Sequence, residues 1–347
     1  QAIFNHPIIP KQILFFFFMM TFFVLPCCSI MKSFISLLLF LFINIGCYAR
    51  PISFEPFLGK LSSQKFTPKY SAEEYFSQGQ VFLERQHYRR ALLCFGMISH
   101  HFPSHTLHSQ ALFFTGKCYF ELGQPDLADK AFAIYLQQPD AEYSEELFSI
   151  KYAIAESFAH GKRKHLFLLE GFPKLGNADE DALRIYDEVL TAFPNQDLGA
   201  QALYSKADLL IVKKDLAEAI KILKKLTLQF PFHSLSPKAF VRLSEIYLQQ
   251  AQKEPHNVQY LSLAKINEEA MLKQHPNHPL NQVVSANVLQ MCERYAAGLY
   301  STGRFYEKKK KHSAAKIYYQ TALEHYPQTS LVAKCNKRLQ RISKYFS

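Results

Sequence analysis

The side chains of this sequence that could bind a metal ion are grouped histidines. Two groups stand beside prolines: His100, His101, His105 and His108 near Pro103, and His275 and His278 on either side of Pro276. Zinc sites need a histidine pair on one helix face or a frame of cysteines and histidines, and neither group supplies one. We interpret these residues as loop histidines and expect no metal site and no cofactor.

The cysteines that could act as nucleophiles or ligands are equally isolated. Beyond residue 47 they are scattered without CxxC spacing: Cys94, Cys118, Cys292 and Cys335. Cys94 and Cys118 fall beside apolar helix positions, which favours buried thiols, although a bridge between them stays open. The sequence also lacks the GxxxxGK, GxSxG and HExxH motifs. We therefore predict that the protein is not an enzyme.

The N-terminal residues indicate export. Residues 1–30 are rich in phenylalanine and free of acidic residues, but their apolar run is shorter than the ~20 residues that span a bilayer. We interpret them as sequence upstream of the true start, Met31. A signal peptide over residues 31–47 is predicted because Lys32 supplies a positive n-region and residues 34–45 an apolar region.

The end of that signal peptide resembles a bacterial lipobox. In the segment Asn44-Ile-Gly-Cys47, a small residue precedes the cysteine that would receive lipid. Cys47 is thus the predicted lipid-attachment residue, and more than one acyl chain on it would give stable membrane anchoring. The alternative is an ordinary secretory peptide cut nearby, for instance after Ala49, with Cys47 discarded.

The rest of the chain repeats a helical pattern. The segment Leu299–Pro327 places Leu299, Gly303 and Tyr306 on one helix, and Ala315, Tyr319 and Ala322 on a second. This spacing is typical of the tetratricopeptide repeat (TPR), in which small residues lie where the two helices approach and a proline ends the pair. Three more copies keep the spacing and start at Tyr75, Leu112 and Leu203. One such hairpin cannot bury its apolar face alone, so a stack of them is expected.

Two further copies are interrupted, which brings the count to six. The third hairpin has an insertion over residues 160–177, and the fifth has one over residues 249–257. A capping helix is predicted after Pro327. The sequence thus predicts an all-α TPR solenoid of about six helical hairpins over residues 71–347, preceded by a proline-containing tether over residues 48–70, with no strands after Ser71.

The charge of the chain is moderately positive. Its formal net charge is +11, and residues 1–47 carry two lysines and no acids, so the remainder holds +9. Basic clusters at residues 161–164 and 308–311 lie at predicted helix ends, where cations complement the helix dipole. No aromatic-interleaved basic motif accompanies them, so we expect no nucleic-acid binding.

Two rows of residues on the first helices define the predicted binding face. We number the positions of the repeat so that Leu299 of the last hairpin is the fourth. The fifth position is then mostly aromatic: Phe76, Phe113, Tyr152, Tyr204, Val241 and Tyr300. The ninth position is polar: Gln80, Lys117, Glu156, Asp208, Glu245 and Arg304. An aromatic row beside a polar row suits an extended or helical peptide. The alternative for the aromatics is that they partly pack on the preceding hairpin.

These features together resemble the BamD family, lipoproteins of the machinery that inserts β-barrel proteins into the bacterial outer membrane. The resemblance rests on Cys47, the segment YSAEEYFSQGQVFLERQHYRRALLCF, the insertion in the third hairpin, and GRFYEKKKKHSAAKIYYQTALEHYPQTS near the end. It implies a TPR scaffold held by lipid to the periplasmic face of the outer membrane. It further implies that the scaffold binds the periplasmic domains of a barrel-forming partner, other assembly lipoproteins and unfolded barrel clients.

Two other classes of TPR protein are alternatives. A periplasmic adaptor of the cell-envelope or Tol type would use the same groove for other partners, but such proteins usually carry a coiled coil before their repeats. A cytosolic secretion chaperone should lack the signal peptide predicted at residues 31–47.

Overall fold

The computed structural model describes residues 53–55, 60–62 and 68–345, apart from residues 143, 169–171 and 256. The predicted upstream extension, the signal peptide and Cys47 lie outside the described residues. Within the predicted tether, Ser53–Glu55 (β1) pairs antiparallel with Lys60–Ser62 (β2). This pair belongs to a unit separate from the helical part of the chain.

The described part of residues 68–345 contains thirteen α-helices, joined by short connections except for the insertion between the fifth and sixth. In chain order they are α1 Ala72–Glu84, α2 Tyr88–His101, α3 His108–Glu121, α4 Pro125–Tyr135, α5 Glu145–Ala159, α6 Asp179–Ala192, α7 Asp197–Val212, α8 Leu216–Gln229, α9 Ser236–Lys253, α10 Gln259–Gln274, α11 Asn281–Lys308, α12 His312–His325 and α13 Val332–Ser343. They make six hairpins and a terminal helix. The predicted all-α TPR solenoid is therefore confirmed.

Short polar signals begin several of these helices. Ser71 forms a capping box with Glu74 at the start of α1, and Ser144 accepts a hydrogen bond from the backbone of Leu147 at the start of α5. The turn after the first helix contains one residue with positive φ in five hairpins, the first to fourth and the sixth: Gln86, Gly123, Gly161, Lys214 and Lys310. Glycine fills this position only in the second and third of these hairpins, so the turn has no consistent glycine signature in the sequence.

In three of the hairpins, an aromatic ring of the second helix packs directly against a glycine of the first helix. A Cβ atom on Gly79 would lie 2.7 Å from the ring of Phe95, and one on Gly116 would lie 2.6 Å from Phe132. Gly303 stands in the same relation to Tyr319, also at 2.6 Å. The glycines at this template position are thus required by the ring that the second helix inserts sixteen residues later.

The contacts between hairpins define the inner side of the stack. The first helices of successive hairpins contact each other, as α3 contacts α5, α5 contacts α7 and α9 contacts α11. In the described part of the chain, successive second helices have no comparable contact. We therefore define the inner face as the exposed surface of the first helices α1, α3, α5, α7, α9 and α11.

The stack ends as a solenoid must. In α13, Cys335 and Ile342 are buried against Ala315, Tyr319 and Ala322 of α12. Helix α13 therefore covers the last apolar face, and the predicted capping helix is confirmed.

Both predicted insertions differ from expectation. In the third hairpin, Lys164–His165 (β3) pairs antiparallel with Lys174–Gly176 (β4), so the prediction of no strands after Ser71 is wrong there. Strands of two and three residues are too short to show alternation in a sequence. In the fifth hairpin, residues 249–253 continue helix α9 instead of forming a loop.

Candidate peptide-binding face

The predicted aromatic row lies half inside the core and half on the inner face. Each of four aromatics touches a ring on the second helix of its own hairpin, with centroid distances of 5.7 to 6.0 Å: Phe76 with Phe95, Phe113 with Phe132, Tyr152 with Tyr186, and Tyr300 with Tyr319. Val241 packs beside a small apolar cluster. All of these residues, with Tyr204, remain partly exposed. They therefore combine packing with a surface that a partner could contact.

The inner face of the first two hairpins is apolar. Phe76 also meets Phe114 of the next hairpin edge-on at 5.8 Å, and Phe113 meets Phe114 at 5.5 Å. Edge-to-face pairs of this kind are favourable beyond their buried area. Gln80 is exposed beside them, and Lys117 forms an ion pair of 2.7 Å with Glu146 of α5. This end of the face is an aromatic cluster bordered by polar groups.

The middle of the inner face is a network of tyrosines and acids. The Tyr152 hydroxyl lies 2.9 Å from Ser205 Oγ, and the Tyr186 hydroxyl donates to Glu156 Oε1 at 2.6 Å. Burial is the main cause that raises the pKa of both tyrosines, so both hydroxyls stay protonated. The predicted position Glu156 is thus held by its own hairpin.

Arg242 joins the next hairpins to this network. Its Nε lies 3.0 Å from Asp208, its Nη1 lies 3.1 Å from Glu245, and it also bonds the Tyr204 hydroxyl. Burial raises the pKa of Asp208, an effect that Arg242 partly opposes. Arg242 was not among the predicted residues. It follows Val241 directly and so occupies the sixth position of the repeat, whereas the predicted rows used only the fifth and ninth positions.

A cleft opens beside this network. It has a volume of about 300 Å³ and is lined by Tyr152, Gln201, Tyr204, Ser205, Asp197 and His233. Its walls come from α5, α7 and the turn before α9. A space of this size with several hydroxyl and amide groups fits one or two side chains of a bound peptide.

The C-terminal part of the face is basic. Tyr300 is bonded by Arg304 and by Arg338 of α13; burial alone would raise its pKa, but these two arginines lower it. Glu307 accepts from the Tyr319 hydroxyl at 2.8 Å and pairs with Arg338 at 3.3 Å. The structure therefore brings the predicted Tyr300 and Arg304 together and links both to the capping helix.

A buried charge network between the second and third hairpins was missed by sequence reasoning. Lys151 is fully buried, and its Nζ lies 2.8 Å from Asp129 and 2.7 Å from Glu188. Arg184 binds both of these carboxylates as well. The signal was present: Lys151 occupies the fourth template position, where the other hairpins carry tyrosine, leucine or phenylalanine.

The third-hairpin insertion is fixed to its neighbours by charged groups. The backbone N–H and Nδ1 of the buried His165 donate to Asp126 of α4, at 2.7 and 2.8 Å. Lys164 pairs with Asp181 of α6 at 2.5 Å. The insertion is therefore part of the seam between the second and third hairpins.

Three of the histidines belong to a repeated turn. The Nδ1 atoms of His105, His233 and His278 accept the backbone N–H two residues later, at 3.1 to 3.2 Å. The free Nε2–H of His105 then donates to Glu73, and that of His233 to Asp197, each on the first helix of the preceding hairpin. The hydrogen bond from His233 is the main cause that lowers the pKa of Asp197. His105 and His233 therefore fasten the turn between two hairpins to the first helix of the preceding hairpin.

The remaining candidate ligands and nucleophiles are dispersed or buried. No group of three histidine, cysteine or acidic side chains that could hold a metal occurs among the described residues. Cys94 and Cys118 are buried free thiols, so the prediction of buried thiols is confirmed and they form no bridge. Burial raises the pKa of Cys118 to about 12. No helix in the described part of the chain is both long and apolar enough to cross a membrane.

Comparison with known proteins identifies the repeat. Three tetratricopeptide-repeat family models match residues 110–141, 180–233 and 296–329. No curated protein sequence is significantly similar to this chain.

Among solved structures, the chain is similar to a tetratricopeptide repeat protein from Parabacteroides merdae, with 13% identity, coverage of 78% of this chain and 98% of that one, and a TM-score of 0.36. It is also similar to the C-terminal part of a TPR repeat-containing protein from Cytophaga hutchinsonii, with 14% identity, coverage of 75% and 98%, and a TM-score of 0.33. TPR hairpins at this register indicate a protein-binding scaffold.

Proposed function

We propose that this protein is a periplasmic, lipid-anchored TPR scaffold of the BamD type, which helps insert β-barrel proteins into the outer membrane. It would bind the periplasmic domains of a barrel-forming protein, other assembly lipoproteins and unfolded clients. The observation that carries the proposal is the inner face, where half-exposed aromatics stand beside polar groups along six stacked hairpins. The lipobox-like Cys47 and the BamD-like segments support the location and the pathway.

The chemistry of the face suits an unfolded barrel strand. Such strands alternate apolar and polar residues, so one edge of the strand can meet aromatics while the other meets polar groups. The cluster of Phe76, Phe113 and Phe114 offers apolar area, and the network around Arg242 offers directional hydrogen bonds. The cleft beside Tyr204 would receive a protruding side chain.

Site-specific photocrosslinking in cell envelopes tests the proposal. A photoreactive residue at Gln80, exposed on the inner face, should capture outer-membrane barrel proteins and their assembly partner. The matched control is Lys221, which is exposed on the second helix α8 and should capture neither. Capture of Tol-type envelope proteins at Gln80 would favour the adaptor alternative, and equal capture at both sites would contradict the proposed face.

Truncation of the aromatics tests their part in client binding. Phe76→Ala with Phe113→Ala should weaken binding of a barrel-strand peptide by about 1 to 3 kcal/mol, with a shuffled peptide as the control. Both rings also pack on the second helices, so circular dichroism must show an unchanged helix content. Unchanged affinity in a folded variant would remove the aromatics from the site.

Membrane fractionation tests the anchor. In a high-salt wash, which screens electrostatic contacts, Cys47→Ser should release the protein from the membrane, because the acyl chains would have no attachment atom. Unchanged fractionation of Cys47→Ser would exclude lipidation at that residue as the anchor.

A further inference from the structure

The net charge of the chain lies almost entirely at its C-terminal end. From Tyr48 to Gly298 there are 27 basic and 27 acidic residues, which cancel. From Leu299 to Tyr345 there are 11 basic and two acidic residues, a net charge of +9. Within the helical stack, residues 71–298 hold 23 basic and 26 acidic residues. A stack that is slightly acidic over most of its length and strongly basic at one end has a directional field.

The basic side chains of this end form one connected surface. Lys334, Lys337, Arg341 and Lys344 are exposed and spaced three, four and three residues apart, so they share one face of α13. Tyr345 stacks on His312 with a centroid distance of 3.9 Å, which places the end of that face beside the turn Lys308–Lys311. We define the exposed residues of α13 together with this turn and Phe305 as the basic end.

Most charges of the basic end have no ion-pair partner among the residues that the structure describes. Among the described residues, no carboxylate forms an ion pair with the four lysines of the turn or with Lys334, Lys337 or Arg341. Glu307, one of the two acids, is engaged with Tyr319 and Arg338. Glu324, the other, lies near the end of α12 away from the turn Lys308–Lys311, roughly 18 Å along the helix from that turn.

Exposed aromatic rings stand among these cations. Phe305 is 55% exposed and Tyr345 is 57% exposed. Lys309 lies over the Phe305 ring at 5.9 Å, and Lys344 over the Tyr345 ring at 5.1 Å. A turn of lysines, which act as point charges without the paired geometry of arginine, fits a diffuse anionic surface better than individual carboxylates. Aromatic rings beside lysines suit the level of lipid headgroups.

We infer that the basic end, with Lys308–Lys311 and the outer face of α13 around Phe305 and Tyr345, is a docking surface for an anionic phospholipid membrane. Its contact would be separate from any lipid on Cys47, and it would hold the C-terminal end of the stack against the bilayer surface. Each lysine near such a surface contributes a similar increment of attraction, and salt screens it.

The absence of tryptophan from the sequence permits a local test. In the full chain, Phe305→Trp introduces a single fluorescent reporter in the basic end. Its emission should shift to shorter wavelength with phosphatidylcholine vesicles that contain phosphatidylglycerol, and the shift should disappear in high salt. Because the signal comes from residue 305, membrane insertion of the apolar N-terminal residues does not produce it. The matched reporter is Phe232→Trp, at a 91% exposed position far along the chain, which should not shift.

Charge substitutions test whether the lysines of the basic end cause the shift in tryptophan emission. In the reporter background, Lys308→Gln, Lys309→Gln and Lys311→Gln together should weaken vesicle binding by about 100-fold. The control set, Lys224→Gln, Lys225→Gln and Lys273→Gln, removes as many exposed lysines elsewhere and should leave binding unchanged. An equal shift with pure phosphatidylcholine, or an equal loss in the control set, would overturn the inference. A shift with poly-glutamate but not with vesicles would assign the basic end to an acidic polypeptide instead.

Discussion

The glycine and aromatic pair inside a hairpin allows a sharp test of how this repeat is packed. A Cβ atom on Gly116 would lie 2.6 Å from Cε1 of Phe132, well inside van der Waals contact. The ring is fully buried and cannot move away freely. Overpacking costs about 1 to 3 kcal/mol, and alanine in a helix gains about 1 kcal/mol over glycine. The balance of the two effects is a loss, so we expect Gly116→Ala to lower the free energy of unfolding by up to about 2 kcal/mol.

The fourth hairpin suggests the compensating change. At the two equivalent positions it carries Ala207 and Leu223, both fully buried. Phe132→Leu alone should leave a gap and cost about 1 to 2 kcal/mol. In the double variant the new methyl group occupies part of that gap, so the free energy of unfolding should return to within about 1 kcal/mol of the parent.

Urea unfolding followed by circular dichroism measures the three variants. The comparison uses midpoints at a constant slope, since a changed slope would show that the repeats no longer unfold together. The expected coupling between the two substitutions is about 1 to 3 kcal/mol in the favourable direction. Additive losses would show that the ring does not fill the space above the glycine, and the proposed reason for the glycine would be wrong.

Three further predictions concern buried and titrating groups. Asp129→Ala should lower the free energy of unfolding in urea by about 3 to 5 kcal/mol, because it removes one partner of the buried Lys151. Lys151→Met should leave the free energy of unfolding nearly unchanged, because the carboxylates keep Arg184 as a partner. Equal losses would contradict this account. Alkylation mapped by mass spectrometry should leave Cys118 unmodified in the folded protein at pH 8, since its pKa is raised to about 12, and should modify it after denaturation. His233→Gln should raise the pKa of Asp197, which NMR measures, and an unchanged pKa would refute the pairing. Because the pKa of Asp197 is lower in the folded state than in the unfolded state, the pairing stabilises the fold at pH values above the unfolded-state pKa. That stabilisation is lost as the pH falls through the folded-state pKa.

The fold was predictable because its signal is repeated. A single match such as Gly303 with Ala315 is weak, but the same spacing from Tyr75, Leu112 and Leu203 fixes both the hairpins and their register. The predicted binding rows followed from that register, and the side chains at the fifth position do lie half exposed on the first helices. Their role in binding stays a prediction.

The missed side-chain contacts share one physical cause, which is that they depend on residues far apart in the chain. Arg242 contacts Asp208 across a hairpin boundary, and His165 meets Asp126 thirty-nine residues earlier. A positional template compares equivalent residues and gives no account of such pairs. The short strands of the insertion were missed for a different reason, which is that two or three residues are too few to show alternation.

In the third hairpin a buried charged residue replaces an apolar residue of the repeat. Its fourth position holds Lys151 where Leu112 and Leu203 stand in neighbouring hairpins, and four charged groups meet there. Apolar packing tolerates many small rotations, whereas a buried lysine between Asp129 and Glu188 is satisfied only at one relative position of the helices. The seam between the second and third hairpins therefore constrains the angle between the aromatic end of the inner face and the third hairpin, which carries Tyr152 and Glu156. A partner that spans both parts would depend on that angle, although Lys151 itself never reaches the surface.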